Sequence, residues 1–323
     1  MNAPLLQVEE LSVSYELPGV LGMRRHLQAL DEVSLTLCAR EALAVIGESG
    51  SGKSTLARAL MRLVPFEGGM ISYRGEPFAT MDGEQLRELR ARMQMVFQNP
   101  QGAFNPRWRI GSAVAEPLRL FRRRVQRQQR QEMTLAMLRR VGLGPEHLRS
   151  FPHQLSGGQA QRAAIARALV SNPEVLICDE PLSALDVSVK AQLSNLLKSL
   201  QRDAGLAMLF VSHDLPAVRF LCDRVLVLYL GRVMEIADTE VFFSRPRHPY
   251  SRALLRAQPT LRPGVVAETL PGEIPSPFTP PPGCVFHTRC PLAIPRCMSE
   301  RPELREIDGV QVACHRAEDA EGA

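Results

Sequence analysis

The chain has 323 residues, of which 45% are apolar, 23% charged and 5% aromatic, a balance that excludes wholesale disorder and a membrane-embedded body. A net charge of +5 could serve nucleic acid or an anionic surface, yet only Lys53, Lys190 and Lys198 are lysines and the other 36 basic residues are arginine. That bias reads as coding preference more than as a binding face. No run approaches the roughly 18 apolar residues of a spanning helix. The start, MNAPLLQVEELSVSY, lacks the pattern of a signal peptide. A cytoplasmic chain with Cys38, Cys178 and Cys222 as reduced thiols is expected.

In chain order, alternation over residues 11–15 and 33–37 predicts antiparallel strands covering one side of a core. Apolar runs at 43–46, 93–97, 175–178 and 207–211 predict buried parallel strands. Helices are expected over 55–63, 126–141, 159–170 and 187–201, completing an alternating α/β pattern. Each apolar run ends in polar residues: Gly47, Gln98, Asp179 with Glu180, and Ser212 with His213. Ligands of open α/β sheets bind just beyond the carboxyl ends of strands. After about Arg245 the composition changes, and eleven of the 25 prolines fall between Pro259 and Pro302. That stretch cannot be a regular helix or a central strand. It is expected to be a small appendage held together by something other than a large core.

The string GESGSGKST comprises Gly47, Glu48, Ser49, Gly50, Ser51, Gly52, Lys53, Ser54 and Thr55. It follows one expected strand and opens a helix, the context of a phosphate-binding loop. Glycines let backbone N–H groups face the phosphates, Lys53 adds a point charge, and Ser54 offers a hydroxyl to Mg²⁺. In VLICDE, Asp179 would hold Mg²⁺ and Glu180 would orient or deprotonate the attacking water. Alone, such a pair is more often a strand-ending turn or a helix cap. The string LSGGQ (Leu155, Ser156, Gly157, Gly158, Gln159) precedes a helix that Ser156 could cap, and its glycines also suit an anion site. His213 could bond a γ-phosphate or place its water. Gln98 could reach both metal and water, and Tyr15 offers adenine a flat surface or simply an edge-strand side chain.

In this order these strings resemble the ABC ATPase family over roughly residues 5–245: the phosphate loop, Gln98 in FQNP, LSGGQ, VLICDE, the Ser183-Ala184-Leu185-Asp186 loop, and His213 in VSHDL. The resemblance implies an α/β P-loop cassette with an antiparallel β subdomain and a helical subdomain over about 99–160. It also implies ATP with Mg²⁺, bound through Ser54, Gln98 and Asp179, and catalysis by Glu180, His213, Gln98 and Lys53. Two cassettes would pair head to tail, each ATP lying between the phosphate loop of one and the LSGGQ of the other. QNPQGAFNPRWRIG, an insertion around 19–29, RHPYSRALL, LPGEIPSP and GCVFHTRCP are similar to the ATPase subunits of peptide importers, of the second oligopeptide/dipeptide type. This implies a cassette over 1–245 and an extension over 246–323. Its partners would be a second related ATPase (heterodimer or homodimer), two transmembrane permease subunits and, indirectly, a substrate-binding protein. The chain would then sit on the inner face of the membrane. The cargo stays open among dipeptides, longer peptides, glutathione-like compounds and nickel. Leu182 stands where the family has threonine, and Ala160 where it has arginine.

Cys284, Cys290, Cys297 and Cys314 are separated by five, six and sixteen residues. In a reducing compartment four such thiols favour a metal centre over disulfides, although the first gap is wider than in zinc knuckles. The resemblance implies a 4Fe–4S cluster, with Zn²⁺ or no metal as alternatives. A different class of function, a nucleic-acid ATPase whose arginines between Arg119 and Arg140 contact phosphates, would ordinarily carry long insertions or a second cassette. Neither is present, so no nucleic-acid partner is expected and the arginine run reads as a solvated helical face.

Overall fold

The computed structural model describes residues 3–18, 24–183, 185–258 and 272–318. Ala184, the first part of the insertion around 19–29 and the first two residues of LPGEIPSP lie outside them. The described residues divide into two compact units, one within Met1–Leu6, Leu37–Ala42 and Ser72–Val211, the other within Gln7–Thr36, Leu43–Ile71 and Ser212–Ala323.

The elements begin with β1 (Pro4–Pro18), β2 (Arg24–Cys38), β3 (Ala42–Ile46) and α1 (Lys53–Leu60). Next come β4 (Gly68–Tyr73), β5 (Glu76–Pro77), α2 (Gly83–Arg92) and β6 (Met93–Val96). A helical stretch follows, α3 (Ile110–Val114), α4 (Glu116–Phe121), α5 (Arg127–Arg140) and α6 (Gly157–Leu169). Then come β7 (Val175–Asp179), α7 (Val187–Ala204), β8 (Ala207–Val211) and α8 (Leu215–Leu221). The chain closes with β9 (Arg224–Tyr229), β10 (Arg232–Asp238), α9 (Thr239–Ser244), α10 (Pro249–Arg256), α11 (Pro295–Ser299), β11 (Arg305–Ile307) and β12 (Val310–Val312).

In the first unit β6, β7 and β8 run parallel, with Val96 opposite Cys178 and Asp179 opposite Val211. Strands β7 and β8 are buried throughout, as their unbroken apolar runs require. Local chemistry sets the helix ends. Asp82 and Gln85 form a reciprocal cap on α2. The Asp186 carboxylate accepts the Val189 N–H to start α7, and Gly205 ends it in the left-handed region. The Arg167 guanidinium bonds Glu116 at 2.7 Å and the Ala103 carbonyl at 2.7 Å, tying α6 to α4 and to the segment after β6. Arg123 and Arg124, in the turn between α4 and α5, and Arg127, Arg139 and Arg140 of α5 are exposed.

In the second unit β3 lies parallel to β9, which pairs antiparallel with β10, and β10 continues through β12 to β11. Strands β2, β1 and β4 lie side by side in that order. The packing of the chain after residue 245 differs from the expected appendage. Val312 pairs with Glu235 of β10, and Tyr250, Val285, Phe286, Val310 and Val312 are buried. The segment therefore shares the core of β9 and β10: Tyr229 packs against Tyr250 (4.7 Å between centroids) and edge-on against Phe286 (5.3 Å). Aromatic area of this kind supplies what a proline-rich stretch cannot bury by itself. The junction is fixed by Glu235, whose buried carboxylate accepts the N–H groups of Arg247 (3.0 Å) and His248 (2.7 Å).

Candidate functional site

In the second unit the buried strand β3 delivers the chain into Gly47. Gly47 has φ +151°, and a Cβ there would sit 2.1 Å from the Leu228 carbonyl oxygen, so no other residue fits. Gly52 (φ +102°) is equally confined, 2.5 Å from the Ala29 oxygen, and starts α1 without a side-chain cap. The first turn of α1 carries no acidic side chain, which leaves its positive end unopposed. The buried Lys53 ammonium donates to the Gly47 oxygen (2.9 Å), the Glu48 oxygen (2.8 Å) and Ser51 Oγ (3.4 Å), so the loop curls around it. Ser49 and Gly50 are exposed, and Ser54 and Thr55 are half-buried. The Tyr15 hydroxyl lies 3.5 Å from Thr55 Oγ1, which brings that ring to the start of α1. The Ser212 N–H donates to the Val45 oxygen at 3.2 Å, so the exposed His213 leaves from beside the strand that feeds the loop.

Glu48 is held by groups that the sequence did not point to. Its N–H donates to the Tyr250 hydroxyl oxygen at 2.8 Å. Its carboxylate takes both arms of Arg289, at 2.6 and 3.2 Å. The side chain of Arg289 is only 3% exposed. Burial opposes its charge, but Glu48 and the Tyr229 hydroxyl outweigh this and hold the guanidinium above its ordinary pKa.

In the first unit Asp179 closes β7 at 1% exposure. Glu180 follows in the left-handed region (φ +47°), an uncommon setting for such a residue and one often found at functional sites. Its N–H donates to the Val211 oxygen at 2.9 Å, and its carboxylate accepts from Gln98 Nε2 at 2.8 Å. Gln98 and Glu180 thus meet across 82 residues of sequence. Leu182 is buried, as is Ala160, so apolar residues suit both departures from the family pattern.

The LSGGQ segment is self-contained. Ser156 Oγ accepts the Gln159 N–H at 3.2 Å, and Gln159 Oε1 accepts the Ser156 N–H at 2.9 Å, a complete capping box on α6. Leu155 is buried, whereas Ser156 and Gly157 are exposed. Gly158 sits against α7, where a Cβ would come 2.9 Å from Val189 Cγ1.

The four C-terminal cysteines are free thiols, Cys284 and Cys297 buried and Cys290 and Cys314 half-buried. The Cys284 N–H donates to the Cys297 oxygen at 2.9 Å. Burial, with a smaller contribution from the neighbouring cysteines, pushes the Cys284 thiol up to about 12 and Cys290 up to about 11. Among the described residues no three His, Cys, Asp or Glu side chains are grouped as a metal ion would need. The four cysteines share a neighbourhood, without the close grouping that the metal centre expected of four such thiols would need. Among the described residues no helix is long and apolar enough to cross a membrane.

Residues 30–183 match the family described as ABC transporter, and residues 234–297 match the oligopeptide/dipeptide transporter C-terminal region. The chain is 47% identical to the di/tripeptide transport ATP-binding protein DppF of Pseudomonas aeruginosa, over 97% of this chain and 98% of that protein. It is 44% identical to the oligopeptide transport ATP-binding protein OppF of Escherichia coli, over 96% of this chain and 95% of that one. Among solved structures, the post-hydrolysis dimer of the ATP-binding cassette MJ0796 with ADP and Pi is similar at a TM-score of 0.66 and 29% identity, covering 72% of this chain and 98% of that one. The cassette cbiO1 of Clostridium perfringens is similar at a TM-score of 0.63 and 29% identity, covering 75% of this chain and 92% of that one. With a curled lysine loop in one unit, a Gln98–Glu180 pair in the other and this likeness along nearly its whole length, the chain belongs to the ATP-binding proteins of ABC transporters.

Proposed function

We propose that this chain is the ATP-hydrolysing subunit of a peptide importer. The observation that carries the reading is the likeness to di/tripeptide and oligopeptide transport ATP-binding proteins, which runs through both the cassette and the C-terminal region. In this reading residues 1–245 form the cassette and 246–323 the extension. The loop Gly47–Thr55 cradles the phosphates, Lys53 exchanges its carbonyl partners for phosphate oxygens, and Tyr15 stacks on adenine. Glu180 takes the proton of the attacking water while Gln98 holds the Glu180 carboxylate and His213 bonds the γ-phosphate. The hydroxyl of Ser54, the carboxamide of Gln98 and the carboxylate of Asp179 are hard oxygen donors of the kind Mg²⁺ takes. Bound there, the ion would neutralise phosphate charge.

The residues Leu155, Ser156, Gly157, Gly158 and Gln159 act on the nucleotide of a partner cassette, a second related ATPase or another copy. Two transmembrane permease subunits receive the motion, a substrate-binding protein acts through them, and the chain works on the cytoplasmic face of the membrane. Cys284, Cys290, Cys297 and Cys314 hold a 4Fe–4S cluster, with zinc as the alternative. An all-thiol donor set in one neighbourhood supports this, and iron, sulfide and zinc analysis of anaerobically purified protein decides it.

Uptake of labelled peptides by cells lacking this chain tests the reading. Wild-type chain should restore uptake. Glu180→Gln should restore none while still binding ATP, with turnover in the assembled transporter down about 10²–10⁴-fold. Normal peptide uptake with Glu180→Gln would sink the catalytic assignment, and restored nickel uptake without peptide uptake would redirect the cargo.

A further inference from the structure

The phosphate loop is gripped from a part of the chain that no nucleotide motif includes. Every polar group of Glu48 is engaged: the N–H by Tyr250, the carbonyl oxygen by Lys53, and the carboxylate by the fork of Arg289. We propose that Arg289 and Tyr250 of the C-terminal extension are positioning residues for ATP binding, holding Glu48 so that the phosphate loop is shaped before the nucleotide arrives. This rests on the reading that the loop binds ATP.

The loop needs such support. Its glycines at 47, 50 and 52 have φ of +151°, +79° and +102°, and a glycine-rich segment loses more freedom on ordering than any other. A contact that removes this freedom beforehand lowers the cost at the moment of binding. A bidentate guanidinium fixes direction as well as distance.

Arg289 is itself fixed. Its Nη1 donates to the Tyr229 hydroxyl at 3.3 Å, and its guanidinium lies 5.8 Å from that ring. Its N–H closes a turn onto the Phe286 oxygen at 3.0 Å, and Phe286 packs against Tyr229 and Tyr250. The short segment between Cys284 and Cys290 is thus a strut with one end in the aromatic core and the other on Glu48. Because Lys53 donates to the Glu48 carbonyl, a shift of Glu48 changes the lysine's surroundings too.

The test compares full-length wild type, Arg289→Ala, Arg289→Lys, Tyr250→Phe and Lys53→Ala, with Arg305→Ala as a surface control. Kd for MgATP is measured on the purified chain, and KM and kcat in the assembled transporter. Arg289→Ala is expected to raise Kd and KM about tenfold, the scale of a lost charge-assisted bond, with kcat changed less than about twofold. Arg289→Lys should recover part of the loss, Tyr250→Phe should weaken binding about threefold, and Arg305→Ala should change nothing. If Arg289→Ala does not fold, Arg289→Lys and Tyr250→Phe decide, since both keep the bulk of the side chain. A lowered melting temperature with unchanged Kd and KM would make the strut purely structural and overturn the proposal. Tight ATP binding by Lys53→Ala would instead overturn the phosphate-loop reading. A deficient Lys53→Ala beside a normal Arg289→Ala and Tyr250→Phe would defeat only the positioning role.

Discussion

The two glycine-rich segments, Gly47–Thr55 and Leu155–Gln159, look alike as strings and are held in opposite ways. The first depends on partners far along the chain, Tyr250 at a separation of 202 residues and Arg289 at 241. The second closes on itself through Ser156 and Gln159, three residues apart. One is built on positive-φ glycines pressed against fixed backbone, the other is an ordinary helix start. A loop proposed to hold its shape around a multiply charged ligand is braced by the fold, whereas a segment expected to act on a partner's nucleotide presents a self-sufficient helix end.

Alanine at matched glycines should expose the contrast most strongly. Gly47→Ala puts a methyl 2.1 Å from the Leu228 oxygen at φ +151°, and it should weaken nucleotide binding more than about 100-fold through forced displacement of the loop. Gly157→Ala meets only Leu185 Cδ2 at 3.7 Å, and should leave binding by the isolated chain unchanged while raising helix stability by up to about 1 kcal/mol. Equal losses of MgATP affinity from both, read by calorimetry, would erase the distinction.

Smaller effects sharpen it. Ser156→Ala removes the cap of α6 and should cost about 1 kcal/mol in denaturant unfolding, with Ser156→Asp restoring most of it. A cost near zero would mean that the box contributes nothing. Near the loop's distant brace, burial lowers His248 to about 3 from its ordinary 6.5. The unfolded chain then binds the extra proton between those values, so this contribution to stability falls as pH drops from about 6.5 toward 3. Glu235, raised by its own burial, contributes a slope of opposite sign above its ordinary value. The informative comparison is therefore with His248→Asn, which can keep the cap on Tyr250 N–H and should flatten the curve between pH 6.5 and 5.

The difference between the segments also explains what could be read in advance. The strands at 43–46, 175–178 and 207–211 were legible because unbroken apolar runs leave no other way to be buried, and they extend in the structure only to Ala42–Ile46, Val175–Asp179 and Ala207–Val211. Helix α1 begins two residues before its expected start because Gly52 accepts the left-handed cap. The expected strand at 93–97 ends at Val96 because Phe97 is left exposed. Gln98 and Glu180 were each singled out as polar residues at strand ends, but their hydrogen bond to one another was not foreseen. Arg289 and Tyr250 were beyond reach: their strings, GCVFHTRCP and RHPYSRALL, stood out, but a partner more than 200 residues away leaves no local trace. The prolines likewise concealed that the tail would pack into the core of β9 and β10.

That packing has a bearing on solubility. With β12 in place, β10 is an interior strand, and the sheet ends in β11, three residues long, where Arg305 and Glu306 are exposed. Short, charged margins of this kind discourage one sheet from zipping onto another. Cut back to residue 245, the chain would present β10, buried from Val233 to Ala237, as its border, turning a covered seam into a template for self-association.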